Sequence, residues 1–479
     1  MEAAFDKISI RGFVLARGKM KKERLHVVPL PWSYEFTEGI CPEDLQENIH
    51  ENVLMIHGDE EAYELDIAQD GITMTGAPAG IFYAHVTLQQ LKLHYPDAIP
   101  CMHIEDRPRF QYRGFMLDSC RHFLPESDVM TLIDAASYYK INKFHWHLTD
   151  DQGWRIEIAK YPRLTEIGAQ TGEEGRRARF YTKKQIRRII RFAEDRNVEI
   201  IPEIEMPGHA TAAIAAYPEL GCTGESIPVE TGTGVFCNLL CAGRDEVLAF
   251  CKDVLDEVMD LFPSKTIHIG GDEARKDHWK NCPYCQARAK ALGLPDEDAL
   301  QRWFTDQILC YLNSKGHSGR VWSDAFTGND LTAENYSAQF WTGQAGNLKY
   351  QAALGHEIVN SDTAAYYFDY PYRDEFCLGN FGHPINVDTV LGYEPVPGWL
   401  SEKFAKQMIG TECTLWTEHV PDLETATQRL FPRLPAMAEA AWTLKEARDN
   451  ASFDERYIGT ASEFERRRLR GAAPRELWH

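Results

Sequence analysis

Thr266-Ile267-His268-Ile269-Gly270-Gly271-Asp272-Glu273 is an apolar strand that runs into two glycines and ends on two adjacent carboxylates. Taken alone, Asp-Glu at a strand end is usually a solvated turn or a helix N-cap, and nothing inside the octapeptide overrides that reading. The segments on either side decide the matter. Strand-like runs recur at 113–118, 142–148, 198–205, 266–273, 319–324, 338–341, 357–362 and 408–416, separated by amphipathic helical stretches such as 128–140, 182–196 and 246–262. These helices are long enough for right-handed crossovers between parallel strands. Eight βα units predict an α/β fold, a (β/α)8 TIM barrel with its site at the C-terminal ends of the strands.

Upstream of Pro108 the pattern differs. Residues 61–67 alternate like a strand, Asp70-Gly71 makes a turn, and 72–75 return as a second strand. Residues 80–94 then read as a helix, with Phe82, Val86, Leu88 and Leu91 at helical spacing. The expected organisation is a small N-terminal α/β domain over 1–107, the catalytic barrel over 108–445 and a C-terminal helical extension over 446–479. A length of 479 residues accommodates this, since a barrel takes roughly 250 residues or more.

A hydrophobic fraction of 44% and a charged fraction of 26% are ordinary for a globular chain. Lys and Arg number 51 against 72 Asp and Glu, a formal charge of -21, which argues against nucleic acid and anionic membranes as partners. Met1-Glu2-Ala3-Ala4-Phe5-Asp6-Lys7 lacks a basic region followed by an apolar one, and no run of 18 apolar residues occurs. The chain as given reads as cytoplasmic, with a secreted form whose signal has been removed left open. Several of the 12 cysteines, among them Cys120, Cys251, Cys310 and Cys413, sit in apolar segments and read as reduced, packed thiols. Cys282-Pro283-Tyr284-Cys285 has zinc-ligand spacing, but no second CxxC or HxxxH accompanies it, so structural thiols or a local redox pair are expected rather than a metal.

Nearly every predicted strand ends on a residue that a polar site would use. Asp118, Asp150, Asp151, Glu203, Glu205, Asp272, Glu273, Trp322, Asp324, Trp341, Asp362, Trp416 and Glu418 all fall there. Singly, each could be a core tryptophan or a capping carboxylate; together they form a ring on one rim. Glycosidases commonly flank the scissile bond with two carboxyls, about 5 Å apart when the configuration is retained and wider when it is inverted. Adjacent side chains alternate across a strand, so Asp272 and Glu273 suit neither arrangement unless the strand end curls. A different division of labour fits them: one carboxyl protonates the leaving oxygen and its neighbour holds a nucleophile carried by the substrate.

Over roughly 60–445 the chain resembles glycoside hydrolase family 20, the β-N-acetylhexosaminidases. The resemblance rests on Arg113-Gly114-Phe115-Met116-Leu117-Asp118 with Arg121-His122, on 142–154 (NKFHWHLTDDQGW), and on Glu205-Met206-Pro207-Gly208-His209. Gly270-Gly271-Asp272-Glu273, Leu415-Trp416-Thr417-Glu418, and Pro432-Arg433-Leu434-Pro435 with Glu439 and Trp442 complete it. It implies a retaining exo-hydrolase that removes terminal β-linked GlcNAc or GalNAc without cofactor or metal, through an oxazolinium formed by the 2-acetamido oxygen. By the same resemblance Glu273 is the general acid and base, Asp272 holds the acetamido N–H, and Tyr367 bonds its oxygen. Trp322, Trp341 and Trp416 wall the sugar, Arg113 and Glu418 bind the 3- and 4-hydroxyls, Asp369 reaches the 6-hydroxyl, and Asp150 with His209 supports the acid.

Two loops match poorly, 221–243 and 370–397, and both should overhang the site. The runner-up readings are a lacto-N-biosidase of the same family, a catalytically silent glycan-binding barrel, and a metallohydrolase using His145, His147 and His209. Retention of Asp272, Glu273 and Tyr367 together counts against a silent barrel, because binding alone needs no proton donor. The partner expected is an oligosaccharide or glycoconjugate, with neither nucleic acid nor membrane, and with a homodimer left open.

Overall fold

A computed structural model of the chain describes residues 24–170, 179–325, 331–343, 345–373, 382–469 and 472–479. Two compact units emerge, Met1–Pro108 with Thr443–Phe464, and Arg109–Trp442 with Glu465–His479. Residues 446–479 are therefore divided between the units rather than standing apart as an extension.

The first unit carries a sheet of β1 (Ser33–Pro42), β2 (Ile49–Val53), β3 (Tyr63–Ala68), β4 (Gly71–Gly76) and β5 (Ala98–Asp106), in the order β1-β5-β3-β4-β2. β3 and β4 form the expected hairpin, with Ile67 opposite Ile72. Their alternation buries Leu65, Ile67, Ile72 and Met74, and the helix Pro78–His94 packs on these two strands.

In the second unit, β6 (Tyr112–Asp118) is followed by β7 (Lys143–His147), which leads into a short ladder of β8 (Thr149–Asp150) with β9 (Gly153–Trp154). Six more strands complete the barrel: β10 (Glu199–Glu203), β11 (Thr266–His268), β12 (Ser318–Trp322), β13 (Tyr336–Phe340), β14 (Glu357–Asn360) and β15 (Met408–Leu415). β6, β7 and β10 to β15 close in sequence order, all parallel, with β15 pairing back onto β6. Every residue of β6 and β15 is buried, as strands covered on both faces require.

The helices between the strands follow from local sequence. Thr182 and Gln185 form a reciprocal capping box at the start of Lys183–Glu194, whose Ile186, Ile189, Ile190 and Ala193 turn inward. The expected strand 266–273 is shorter than its apolar run, because the chain leaves the sheet after His268. No helix among the described residues is long and apolar enough to cross a membrane.

Candidate active site

Beyond β11 the chain turns through Gly270 (φ 62°) and Gly271 (φ 95°). A Cβ at Gly270 would lie 1.8 Å from Glu205 Oε2, so only glycine satisfies both the left-handed angle and the close approach. Glu273 is itself left-handed, with φ 49°. This curl removes the alternation of the strand and lets both carboxyls face one partner. His209 Nε2 lies 3.7 Å from Asp272 Oδ2 and 3.7 Å from Glu273 Oε2.

Behind His209 runs a buried column of alternating carboxylates and imidazoles. His209 Nδ1 is 3.1 Å from Asp150 Oδ1, and the other oxygen of Asp150 takes His147 Nε2 at 2.8 Å and Arg121 Nη2 at 2.9 Å. His147 bonds onward to Glu203, which also accepts from Trp322 Nε1 at 2.8 Å and lies 2.7 Å from His268 Nδ1. His145, 3.1 Å from Glu203, continues to Glu412 at 2.8 Å near the barrel floor.

Burial lowers all four histidines, and at three of them the carboxylates prevail: His145 is raised to about 9, His147 to about 10, and His209 well above its usual value, whereas at His268 burial wins and lowers it to about 4. Burial would raise Asp150, yet Arg121, His209 and His147 hold it well below the usual range. The histidines that sequence spacing offered as a metal set are thus each engaged by carboxylates.

The two carboxyls at the head of this column differ in environment. Burial pushes Asp272 up to about 8, and its Oδ1 has no partner among the described residues. Glu273 is exposed at the rim, and its backbone N–H donates to Asp324 Oδ2 at 2.9 Å. The other oxygen of Asp324 accepts Trp341 Nε1 at 2.9 Å, and the Trp341 ring stacks on Tyr367 at 6.3 Å and 26°. One carboxylate therefore holds both the Glu273 backbone and the Trp341 indole. Trp322 is fully buried against His268, with ring centroids 5.0 Å apart, and Trp416 lies 6.0 Å from it. Trp322 is therefore enclosed beneath the rim, while Trp341 and Trp416 are partly exposed.

Tyr367 and Asp369 lie beyond the end of β14, on a segment that returns to bridge β15 through Tyr367 and Thr414. Asp369 is pushed up to about 8 by burial and then by Glu418, and its Oδ1 has no partner among the described residues. Of the poorly matched loop, residues 374–381 lie outside the described residues.

Arg113 does not join the site. It is the second residue of β6 and fully buried at the N-terminal end of the barrel, where Nε donates to Lys140 O at 2.8 Å and Nη1 to Phe110 O at 2.8 Å. Five residues of strand put about 17 Å between it and Asp118. Arg121 stands on the rim instead. It pairs with Asp118 (3.1 Å) and Asp150 (2.9 Å), approaches Glu418 (3.9 Å), and lies over the Trp416 ring at 5.0 Å. The signal for Arg121 was its place three residues beyond a strand's C-terminal end, where barrel sites lie. Asp324 belongs to the ring that the sequence predicts, but only the fold shows what it holds.

The loop 221–243 also meets the rim. Gln152, which accepts from Arg121 Nε at 3.0 Å, donates to Gly232 O at 2.9 Å. At the base of this loop Cys222 and Cys241 reach Cys282 and Cys285, so the CxxC is not isolated as its sequence neighbourhood suggested.

Residues 110–445 match the family model described as glycosyl hydrolase family 20, catalytic domain, and residues 42–107 match domain 2 of the same family. A beta-hexosaminidase of Porphyromonas gingivalis is 39% identical over 83% of this chain, which spans about half (52%) of that protein. A beta-hexosaminidase of Akkermansia muciniphila is 31% identical over 87% of this chain and 88% of its own length. Among solved structures, an exo beta-N-acetylglucosaminidase from Vibrio harveyi in complex with N-acetylglucosamine superposes with a TM-score of 0.83 at 30% identity, over 95% of this chain and 79% of that one.

Proposed function

The chain belongs to glycosyl hydrolase family 20 and is a glycoside hydrolase; from that premise we propose that it is a retaining exo-β-N-acetylhexosaminidase using the acetamido group of its substrate as nucleophile. The observation that carries this is the curl at Gly270-Gly271, which puts buried Asp272 and exposed Glu273 on the same side of His209. Neighbouring carboxyls that share one histidine suit a division of labour on one side of the sugar better than opposed positions across its ring.

The proposed reaction has two steps. Glu273 gives its proton to the departing glycosidic oxygen while the acetamido oxygen attacks C1, closing an oxazolinium ring. Water, deprotonated by Glu273, then opens the ring at C1 with retained configuration, and the acid is restored. Asp272, whose buried Oδ1 has no partner among the described residues, accepts the acetamido N–H and as the carboxylate offsets the positive charge that develops on the ring. Tyr367 bonds the acetamido oxygen, and its stacking on Trp341 gives the acetamido methyl an aromatic surface.

Arg121 and Glu418, not Arg113, bind the 3- and 4-hydroxyls by charge-assisted hydrogen bonds. The substrate proposed is a terminal β-linked GlcNAc or GalNAc of an oligosaccharide or glycoconjugate. The names of the relatives support that class of sugar.

Rates on chromogenic β-GlcNAc, β-GalNAc, β-glucoside and lacto-N-bioside substrates test the reading. The two acetamido sugars should be cleaved, and the glucoside should fall behind by roughly 1000-fold or more for want of its internal nucleophile. A thiazoline mimic of the cyclised acetamide should inhibit. Comparable glucoside turnover, or a glycosyl group trapped on a carboxylate, would overturn substrate assistance; preferred release of lacto-N-biose would overturn the monosaccharide assignment.

A further inference from the structure

Four thiols from two different loops converge beside the barrel rim, and the reaction uses none of them. Cys222 and Cys241 lie at the two ends of the loop that follows β10, held together by the bridge between Gly221 and Leu240 and by the Cys241 N–H donating to Leu220 O at 2.8 Å. Cys282 and Cys285 come from the segment after Asp272-Glu273, at the N-cap and in the first turn of the helix Pro283–Leu292.

Sγ of Cys222 is 3.8 Å from that of Cys285, and Sγ of Cys241 is 3.7 Å from Cys282 and 3.6 Å from Cys285. All four sulfurs lie within 4.8 Å of one another. A disulfide needs sulfurs at about 2.05 Å, so none of these pairs is bonded. A tetrahedron with metal–sulfur bonds of about 2.3 Å has sulfur–sulfur edges of about 3.8 Å, which is the spacing seen. A cubane iron–sulfur cluster takes its thiolates at four separate corners and would hold them farther apart.

We propose that Cys222, Cys241, Cys282 and Cys285 form a tetrathiolate site for one structural zinc ion. Binding exchanges four thiol protons for one divalent cation and leaves no coordination position for water or substrate, so the ion has no part in hydrolysis. Tetrahedral sulfur ligation selects zinc or iron over harder cations.

The surrounding chain is shaped for the approach. A Cβ at Gly243 would fall 2.2 Å from the carbonyl carbon of Tyr284 and 2.3 Å from the Cys285 nitrogen, so glycine is what lets the Cys241 segment lie against the CxxC turn. The N–H groups at the start of the Pro283–Leu292 helix favour thiolate there. Arg244, over the Tyr284 ring at 4.4 Å, brings positive charge onto the ligand-bearing segments, while Arg288, paired with Asp245 at 2.5 Å, donates to Gly243 O at 3.3 Å and ties the two segments together.

The ion would clamp the base of the loop whose far part touches the active site. Beyond the Gly232 contact with Gln152, the Glu230 N–H donates to Asp151 O at 3.3 Å, and Val235 O accepts from Arg275 Nη1 at 3.3 Å. Fixing the two ends of the loop to the segment that follows the acid lowers the entropy lost in holding that rim.

Metal analysis of the purified full chain after exhaustive dialysis tests the proposal. The expected content is about one zinc per chain, falling to roughly a fifth or less in Cys222→Ser and in Cys285→Ser. Chain produced with cobalt should show the near-ultraviolet thiolate charge-transfer bands and visible bands of a tetrahedral Co–S4 centre, and those bands should weaken in Cys222→Ser. Unmutated chain that holds no transition metal while its four thiols alkylate in the folded state would overturn the site. Iron charge-transfer absorption in the protein as purified would overturn the choice of zinc.

Discussion

Glu273 and His209 face each other at 3.7 Å, and both have left-handed backbones, φ 49° and 48°. Such angles cost a non-glycine residue about 1–3 kcal/mol each. Here they turn a glutamate out of its strand and aim a histidine at it from the neighbouring loop. The strain is thus spent on orienting the proposed proton donor. His209 is held well above its usual pKa by Asp150, Asp151 and Glu273 itself, against the lowering effect of burial, so it confronts Glu273 as a cation.

If Glu273 donates a proton to the leaving oxygen, Glu273→Gln should slow poor leaving groups by roughly 100- to 10,000-fold. Activated aryl glycosides need little protonation and should lose much less in the same step. A leaving-group series on a variant with unchanged circular dichroism checks this. Equal losses across the series would remove Glu273 from the acid's role.

Asp272→Asn should separate rate from stability. In the proposed reaction the acetamido N–H and the positive charge developing beside it favour the ionised form, so that Asp272 gives its proton to solvent when substrate binds and then serves as a counter-charge that asparagine cannot supply; the chemical step should therefore slow. Asp272 is raised to about 8 in the folded protein by burial, against about 3.9 in an unfolded chain. The folded state therefore holds a proton that the unfolded state releases, and stability is lost as pH rises from about 4 to about 8. Asparagine carries no such penalty. Thermal melts should show the variant more stable than the parent at pH 7.5, by about 2 °C or more, and the gap should close near pH 4. A gap that persists at pH 4 would contradict the buried-carboxyl account.

The eight strands were legible because parallel barrel strands are buried on both faces, so that runs such as 113–118 and 408–416 are bounded sharply by polar residues. Most of the ring at their ends was legible for the same reason. The lengths beyond the sheet were not. β11 ends at His268 although the apolar pattern continues, because two glycines change the backbone angle, and side-chain periodicity carries no sign of φ. Arg113 and Arg121 lie in the same motif, and only the polarity of β6 separates a residue at the barrel floor from one at the rim. The convergence of Cys222 and Cys241 on Cys282 and Cys285 depends on how two loops pack, which no local pattern encodes.

That difference between the two arginines can be measured. Arg121→Lys keeps the charge but loses the planar fork that joins Asp118, Asp150 and the space before Glu418. KM for a β-GlcNAc substrate should rise by about 10-fold or more. Arg113→Lys breaks bonds to the carbonyls of Lys140 and Phe110 and should lower Tm while leaving KM near the parent value. Steady-state kinetics and melts on both variants decide between them. A KM effect at Arg113 with none at Arg121 would reverse the assignment.

The last prediction concerns a 6-sulfated sugar at Asp369. Arg373, the nearby residue that could have met a sulfate, has its guanidinium bonded to the carbonyls of Glu476 and His479. Asp369 is thus the group proposed to face the substituent, and burial together with Glu418 pushes it up to about 8. Below that value it is neutral and tolerates an anion as a hydrogen-bond donor. Above it, carboxylate and sulfate stand as like charges in a poorly solvated pocket, a juxtaposition that can cost several kcal/mol. The ratio of kcat/KM for GlcNAc over GlcNAc-6-sulfate should therefore climb as pH rises from about 7 to about 9. In Asp369→Asn that climb should flatten, mainly because the sulfated substrate improves at high pH. A ratio that is flat with pH in the unmutated enzyme would show that Asp369 does not face the 6-position.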